Sequence, residues 1–249
     1  MEREHATWVD RFHKAQQVGK VGVVGERKGR VALVPEGGVG IHRPAGDRRG
    51  ARHALGLGSG PMLLFVGRIQ PLKGLDVAVR TLAEIGRSDA QLIVVGGASG
   101  VEGATELARV EALIQELGLV GRVKFYEPQP HHLLSTFYRA ADVVLVPSRS
   151  ESFGLVALEA AACGIPVVAT AVGGLLNLIE DGKTGFLVPG RDVSDFARFT
   201  RRLLDDSLLA ISMGTAAAHR AQAYSWRSAA LKARSVYTEL LERDLVACS

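Results

Sequence analysis

Residues 151–159 read ESFGLVALE, and residues 160–170 continue AAACGIPVVAT. This stretch decides the fold, because it carries a polar loop into a helix and the helix into a buried strand. The apolar run VVLVP at 143–147 precedes it, and SRSESF forms the loop. The helical stretch runs from about Gly154 to Cys163, with Gly164 as its stop signal and Pro166 just beyond. A helix N-terminus therefore sits at the carboxyl end of a strand. Ligands bind there in an open α/β sheet, and the free N–H groups favour anionic oxygens.

Glu151 and Glu159 stand eight residues apart. On an ideal helix they would point about 80° apart, but Glu151 precedes the helix and Glu159 lies in its second turn. One reaches from the loop and the other from the helix side, around a ligand whose phosphates sit at the Gly154 and Leu155 amides. The hydroxyls of a sugar and of a ribose both need acceptors, which gives two carboxylates a chemical purpose. The plainer alternative makes Ser150 and Ser152 helix caps, Glu151 a partner of the helix dipole and Glu159 a solvated position. The pair alone favours that alternative, so the weight falls on the surrounding chain.

Outward from this stretch the pattern is regular. MLLFVG from Met62 is a continuous apolar run, as a strand buried on both faces reads. A helical pattern follows at 75–85, then the strand QLIVVGG, a helix at 106–117, a strand at 122–126 and a helix at 132–140. Beyond the central stretch come PVVAT as strand, GGLLNLIED as short helix, GFLVP as strand, and helices to the end. Strands alternating with helices at this spacing predict an α/β fold with a doubly wound, Rossmann-like parallel sheet. Right-handed crossovers then bring the loops after the strands to one edge.

That edge collects one chemistry. Arg68 and Lys73 follow the first regular strand, and two cations in a short loop can neutralise a diphosphate. Gly96, Gly97 and Gly100, then Gly173 and Gly174, permit close backbone approach to a ligand or simply make turns. Gln129, between Pro128 and Pro130, can read a base or serve a turn. His131 and His132 read as surface residues. Five loops that agree raise a nucleotide site above the plainer alternative.

The bulk numbers set the class. The chain has 249 residues, is 47% hydrophobic and carries a net charge of +4. That composition is globular, and the mild basic excess suits an anionic small ligand rather than nucleic acid. The two cysteines, Cys163 and Cys248, have no metal-ligand neighbour, which points to a reduced, cytoplasmic setting. No apolar run approaches the roughly 18 residues of a membrane span. Residues 1–20 place Trp8, Val9, Phe12 and Ala15 at helical spacing, and 21–35 holds VGVV and VALVP around a basic loop. Residues 36–47 are glycine-rich, and Asp47 reads as the cap of a short basic helix, RRGARHALGL. The expected division is an irregular extension over 1–55 and a Rossmann-like nucleotide-sugar-binding domain over 56–249.

VGRIQPLKG, VVGG, FYRAADVVLVPSRSESFGLVALEAAACGIPVVAT, the following GG, DGKTGFLV and the late YSW…VY together resemble one family. It is the C-terminal, donor-binding half of the retaining, two-Rossmann-domain (GT-B) glycosyltransferases of family 4. GDRRGARHALGL, FYRAADVVLVPS and ESFGLVALEAAACG are similar to its mycothiol-pathway branch. That branch moves N-acetylglucosamine from UDP-GlcNAc to 1D-myo-inositol 3-phosphate.

The resemblance implies a role for each matching residue. Arg68 and Lys73 would hold the donor diphosphate and carry the catalytic electrostatics, Gln129 would lie at the uracil, and Glu151 would bind sugar hydroxyls and complete the catalytic set. Phe153, Gly154 and Leu155 would line the phosphates, and Glu159 would bind the ribose. The branch's magnesium (Mg2+) positions correspond to Tyr138, Arg139, Ala141 and Ile165, the last standing where the family has threonine. The N-terminal acceptor domain is largely absent from this chain, so the expected activity of the half alone is donor binding with weak or no transfer. The implied partners are a UDP-sugar, a small polar acceptor, and a partner chain or homodimer. The competing reading is a non-catalytic nucleotide-sugar-binding module that works with a partner chain. A dehydrogenase would need Gly-x-Gly-x-x-Gly where this chain has GRIQPLKG.

Overall fold

The computed structural model describes residues 48–224 and 226–242, all within the second of the chain's two units, 36–249. The readings for 1–47, including the Asp47 cap, and for Cys248 lie outside the described residues. Strands β1 (Met62–Val66), β2 (Gln91–Val95), β3 (Val123–Tyr126), β4 (Val143–Val146), β5 (Val167–Thr170) and β6 (Phe186–Val188) form one parallel sheet ordered β3-β2-β1-β4-β5-β6. The order reverses between β1 and β4, so the loops leaving those two strands diverge and open a crevice at the sheet's carboxyl edge.

The continuous apolar runs have their expected cause. Side chains alternate across each strand, and both faces are covered. Leu63, Phe65, Leu92, Val94, Val143 and Leu145 pack with helices α2 (Leu75–Glu84), α3 (Gly103–Glu116) and α7 (Val193–Asp205). Met62, Leu64, Ile93, Val144 and Val146 pack on the other face with α4 (His131–Ala140) and α5 (Leu155–Ala162). The short α6 (Leu175–Leu178), α8 (Ser207–Ala221), a 3-10 turn at Gln222–Tyr224 and α9 (Trp226–Glu242) complete the described chain. On α9, Leu231 and Val236 are exposed; the side chains of Leu240 and Leu241 lie outside the description. No described helix is long and apolar enough to cross a membrane.

Two boundaries differ from the sequence reading. Helix α1 (Arg48–Ala54) falls in the expected 1–55 extension, yet it is pinned to the sheet. Arg48 Nη1 and Arg52 Nη2 donate to opposite oxygens of Asp142 at 2.6 and 2.5 Å, and the Met62 amide donates to the same carboxylate at 2.7 Å. Asp142 thus ties α1 to the N-terminal ends of β1 and β4. Helix α3 starts at Gly103, three residues before the expected Glu106. A Cβ at Gly103 would stand 2.9 Å from the Ala98 carbonyl carbon, so this glycine permits close packing within a helix.

Candidate functional site

The crevice loops are bound to one another through main chain. Ile69 pairs with Ala98 as an isolated parallel bridge, and the Ile69 amide donates to Gly97 O at 2.9 Å. The Arg149 amide donates to Leu72 O at 2.8 Å, which joins the loops after β1 and β4. Gly74 lies so near β4 that a Cβ there would meet Pro147 O at 2.3 Å. Arg191, after β6, clamps this contact: its Nε donates to Pro147 O at 3.0 Å and its Nη2 to Asp76 Oδ1 at 2.9 Å. Asp76 also pairs with Arg109, whose guanidinium forks onto the buried Glu106 at 2.8 and 2.9 Å. Nothing in the sequence singled out Arg191.

This stitching brings together two of the expected site residues. Lys73 Nζ stands 2.7 Å from Glu151 Oε2, across 78 residues of sequence and between the β1 and β4 loops. Both side chains are partly buried. Arg68 lies in the same loop as Lys73, exposed and without an ion pair among the described residues. The Glu151 backbone is fixed from a third loop. Gly174 N donates to Glu151 O at 2.8 Å, and a Cβ on Gly173 (φ +49°) would approach that oxygen to 2.0 Å. The close approach that Gly173 and Gly174 allow is therefore to residues 151–153.

Helix α5 begins after Gly154, which is left-handed at φ 94° and ψ 43°, and no side chain caps it. Ser150 and Ser152 are not its caps, and its first turn holds no acid. The first backbone bond into the helix runs from Leu158 N to Gly154 O at 3.0 Å, so the Leu155, Val156 and Ala157 amides precede it. Those donors and the helix dipole favour an anion at this point. Phe153 and Leu155 flank it, both exposed, with the Phe153 ring edge-on to Tyr224.

Glu159 is buried one turn further along, 6% exposed. Tyr138 Oη donates to its Oε2 at 2.7 Å, and His131 Nδ1 lies 3.3 Å from its Oε1. Burial, then the neighbouring Glu159 charge, pushes the Tyr138 phenol well above the usual tyrosine range, so it remains a donor. His131 is a surface residue at the start of α4, as the sequence suggested, and this contact gives it a partner that the sequence did not show. Only the tertiary packing, with β2 and β1 lying between β3 and β4 in the sheet, could have revealed it. Gln129 Nε2 donates to Glu127 O at 2.8 Å, which fastens its own turn.

The side chains at the four magnesium positions do not supply the oxygen set that magnesium takes, which is carboxylate and water around an octahedron. Ala141 and Ile165 are fully buried and apolar, and the Tyr138 hydroxyl is committed to Glu159. Among the described residues, no three His, Cys, Asp or Glu side chains cluster as metal ligands.

The crevice thus offers a cation, an uncapped helix start and two acids at different depths. A family model described as "Glycosyl transferases group 1" matches residues 48–220. The D-inositol 3-phosphate glycosyltransferase of Acidothermus cellulolyticus is 45% identical over 243 residues, covering 94% of this chain and 52% of its own. Sucrose-phosphate synthase from Thermosynechococcus elongatus superposes with a TM-score of 0.75 at 38% identity, over 84% of this chain and 52% of that one. Anabaena HepE in complex with UDP and glucose gives 0.74 at 25% identity, over 83% and 55%. The chain spans about half the length of the curated relatives it matches. On the family-model match and this sequence likeness, the chain belongs to the group 1 glycosyl transferases.

Proposed function

We propose that the chain is the donor-binding half of a retaining hexosyltransferase that uses a UDP-sugar, with N-acetylglucosamine the favoured sugar. One observation carries the reading: Lys73 pairs with Glu151 across the sheet's reversal point, in the loop that leads three residues later into the uncapped start of α5. Arg68 and Lys73 balance the diphosphate, and the α5 amides take its oxygens. Glu151 accepts from hydroxyls of the sugar, and Glu159, oriented by Tyr138, accepts from the ribose. During transfer the acceptor oxygen bonds to the anomeric carbon as the bond from that carbon to the phosphate oxygen breaks. The acceptor proton passes to the departing diphosphate on the same face, and the two cations stabilise the charge that develops there. A small polar acceptor, 1D-myo-inositol 3-phosphate by likeness to the curated relatives, is held by residues beyond the matched half. The chain alone therefore binds donor with little transfer.

Calorimetry with UDP-GlcNAc and UDP on the full chain tests this. Saturable heat with both is expected. A folded protein that gives none refutes it.

A further inference from the structure

We propose that Glu151 makes the site select a sugar-capped diphosphate over the free nucleoside diphosphate, by competing with a terminal phosphate for Lys73. This rests on the donor-binding reading above. Lys73 and Glu151 are 22% and 17% exposed, stand 2.7 Å apart, and form no other ion pair among the described residues. The backbone of the acid is fixed, because its carbonyl oxygen accepts from the Gly174 amide and Gly173 packs directly on it. An incoming diphosphate must compete with this carboxylate for Lys73.

The two ligands differ in what they present to that carboxylate. A nucleotide sugar has a diester diphosphate with two charges, and its sugar hydroxyls donate toward Glu151. A free nucleoside diphosphate puts a terminal phosphate there, which ionises a second time near about pH 6 and carries an extra charge at neutral pH. One residue thus attracts the first ligand and repels the second, and specificity is the difference. Arg68 and the α5 amides favour the extra charge of the free diphosphate, so the selectivity is the margin by which Glu151 outweighs them. After transfer, the same repulsion speeds release of the spent nucleotide.

The test is calorimetry on the full chain at low salt with UDP, UDP-GlcNAc and the β-methyl ester of UDP, which caps the phosphate without adding a sugar. The wild type is expected to bind the methyl ester more tightly than UDP. Glu151→Gln is expected to tighten UDP about tenfold and to leave UDP-GlcNAc unchanged or weaker. Equal wild-type affinity for UDP and its methyl ester overturns the proposal without reference to any variant. An unchanged UDP to UDP-GlcNAc ratio in a folded Glu151→Gln protein does the same. Absence of heat with all three ligands overturns the donor-binding reading itself.

Discussion

Gly173→Ala probes whether the loop after β5 sets the position of Glu151. The new Cβ would stand 2.0 Å from Glu151 O, against the 3.0 Å that real Cβ atoms respect. Both partners are main chain, so neither can rotate away, and the 151–153 loop must move by about 1 Å. The left-handed φ of +49° adds about 1–2 kcal/mol of backbone strain. Gly182→Ala is the internal control, since Gly182 is also left-handed (φ 73°) but has nothing within 4 Å of its Cβ position. Urea denaturation should show both variants destabilised, with Gly173→Ala losing about 1–2 kcal/mol more from the collision. Calorimetry should show UDP-GlcNAc binding weakened only in Gly173→Ala, because a displacement of about 1 Å is enough to degrade a positioned group. Equal stability losses in the two variants, with equal donor affinities, would refute the argument that β5's exit holds the acid.

Three further outcomes are expected. Lys73→Ala should weaken UDP-GlcNAc by about 1.5–3 kcal/mol in calorimetry, the range for a hydrogen bond to a charged group. Tyr138→Phe should lower stability by about 1–3 kcal/mol, because it strips a buried Glu159 oxygen of its donor. The folded phenol titrates above its unfolded value, so its contribution is whole below about pH 10 and declines as pH rises beyond it. Alkaline melting curves should lose that decline in the Phe variant. Asp142→Ala should cost about 2–4 kcal/mol and release α1, since it leaves two guanidiniums and the Met62 amide without their acceptor. Hydrogen exchange over 48–54 reports that release.

The strands were legible because a sheet covered on both faces demands unbroken runs such as MLLFV and QLIVV, and glycines punctuate them. The helix between Gly154 and Gly164 was legible from its stop signals alone. Contacts between distant loops were not. Lys73 and Glu151 could each be named from local spacing, but their meeting follows from β1 lying beside β4, which no local period encodes. His131 looked idle because its partner is 28 positions away on the next helix. Gly173 and Gly174 suggested a ligand's approach, whereas another loop occupies the space. Arg191 carries no pattern at all, since a single arginine after a strand is common and only folding shows what it clamps.

Apart from the Arg191 clamp, the crevice rim is upheld by close peptide contacts: Gly74 against Pro147, Gly96 against Gly67, Gly173 against Glu151. Side chains such as Arg68, Arg149, Ser150 and Ser152 project from that frame without supporting it. Sequence drift at those positions would alter what the rim recognises while the scaffold beneath keeps its shape. A lineage could thus try new donors at little risk to folding, provided the glycines stay.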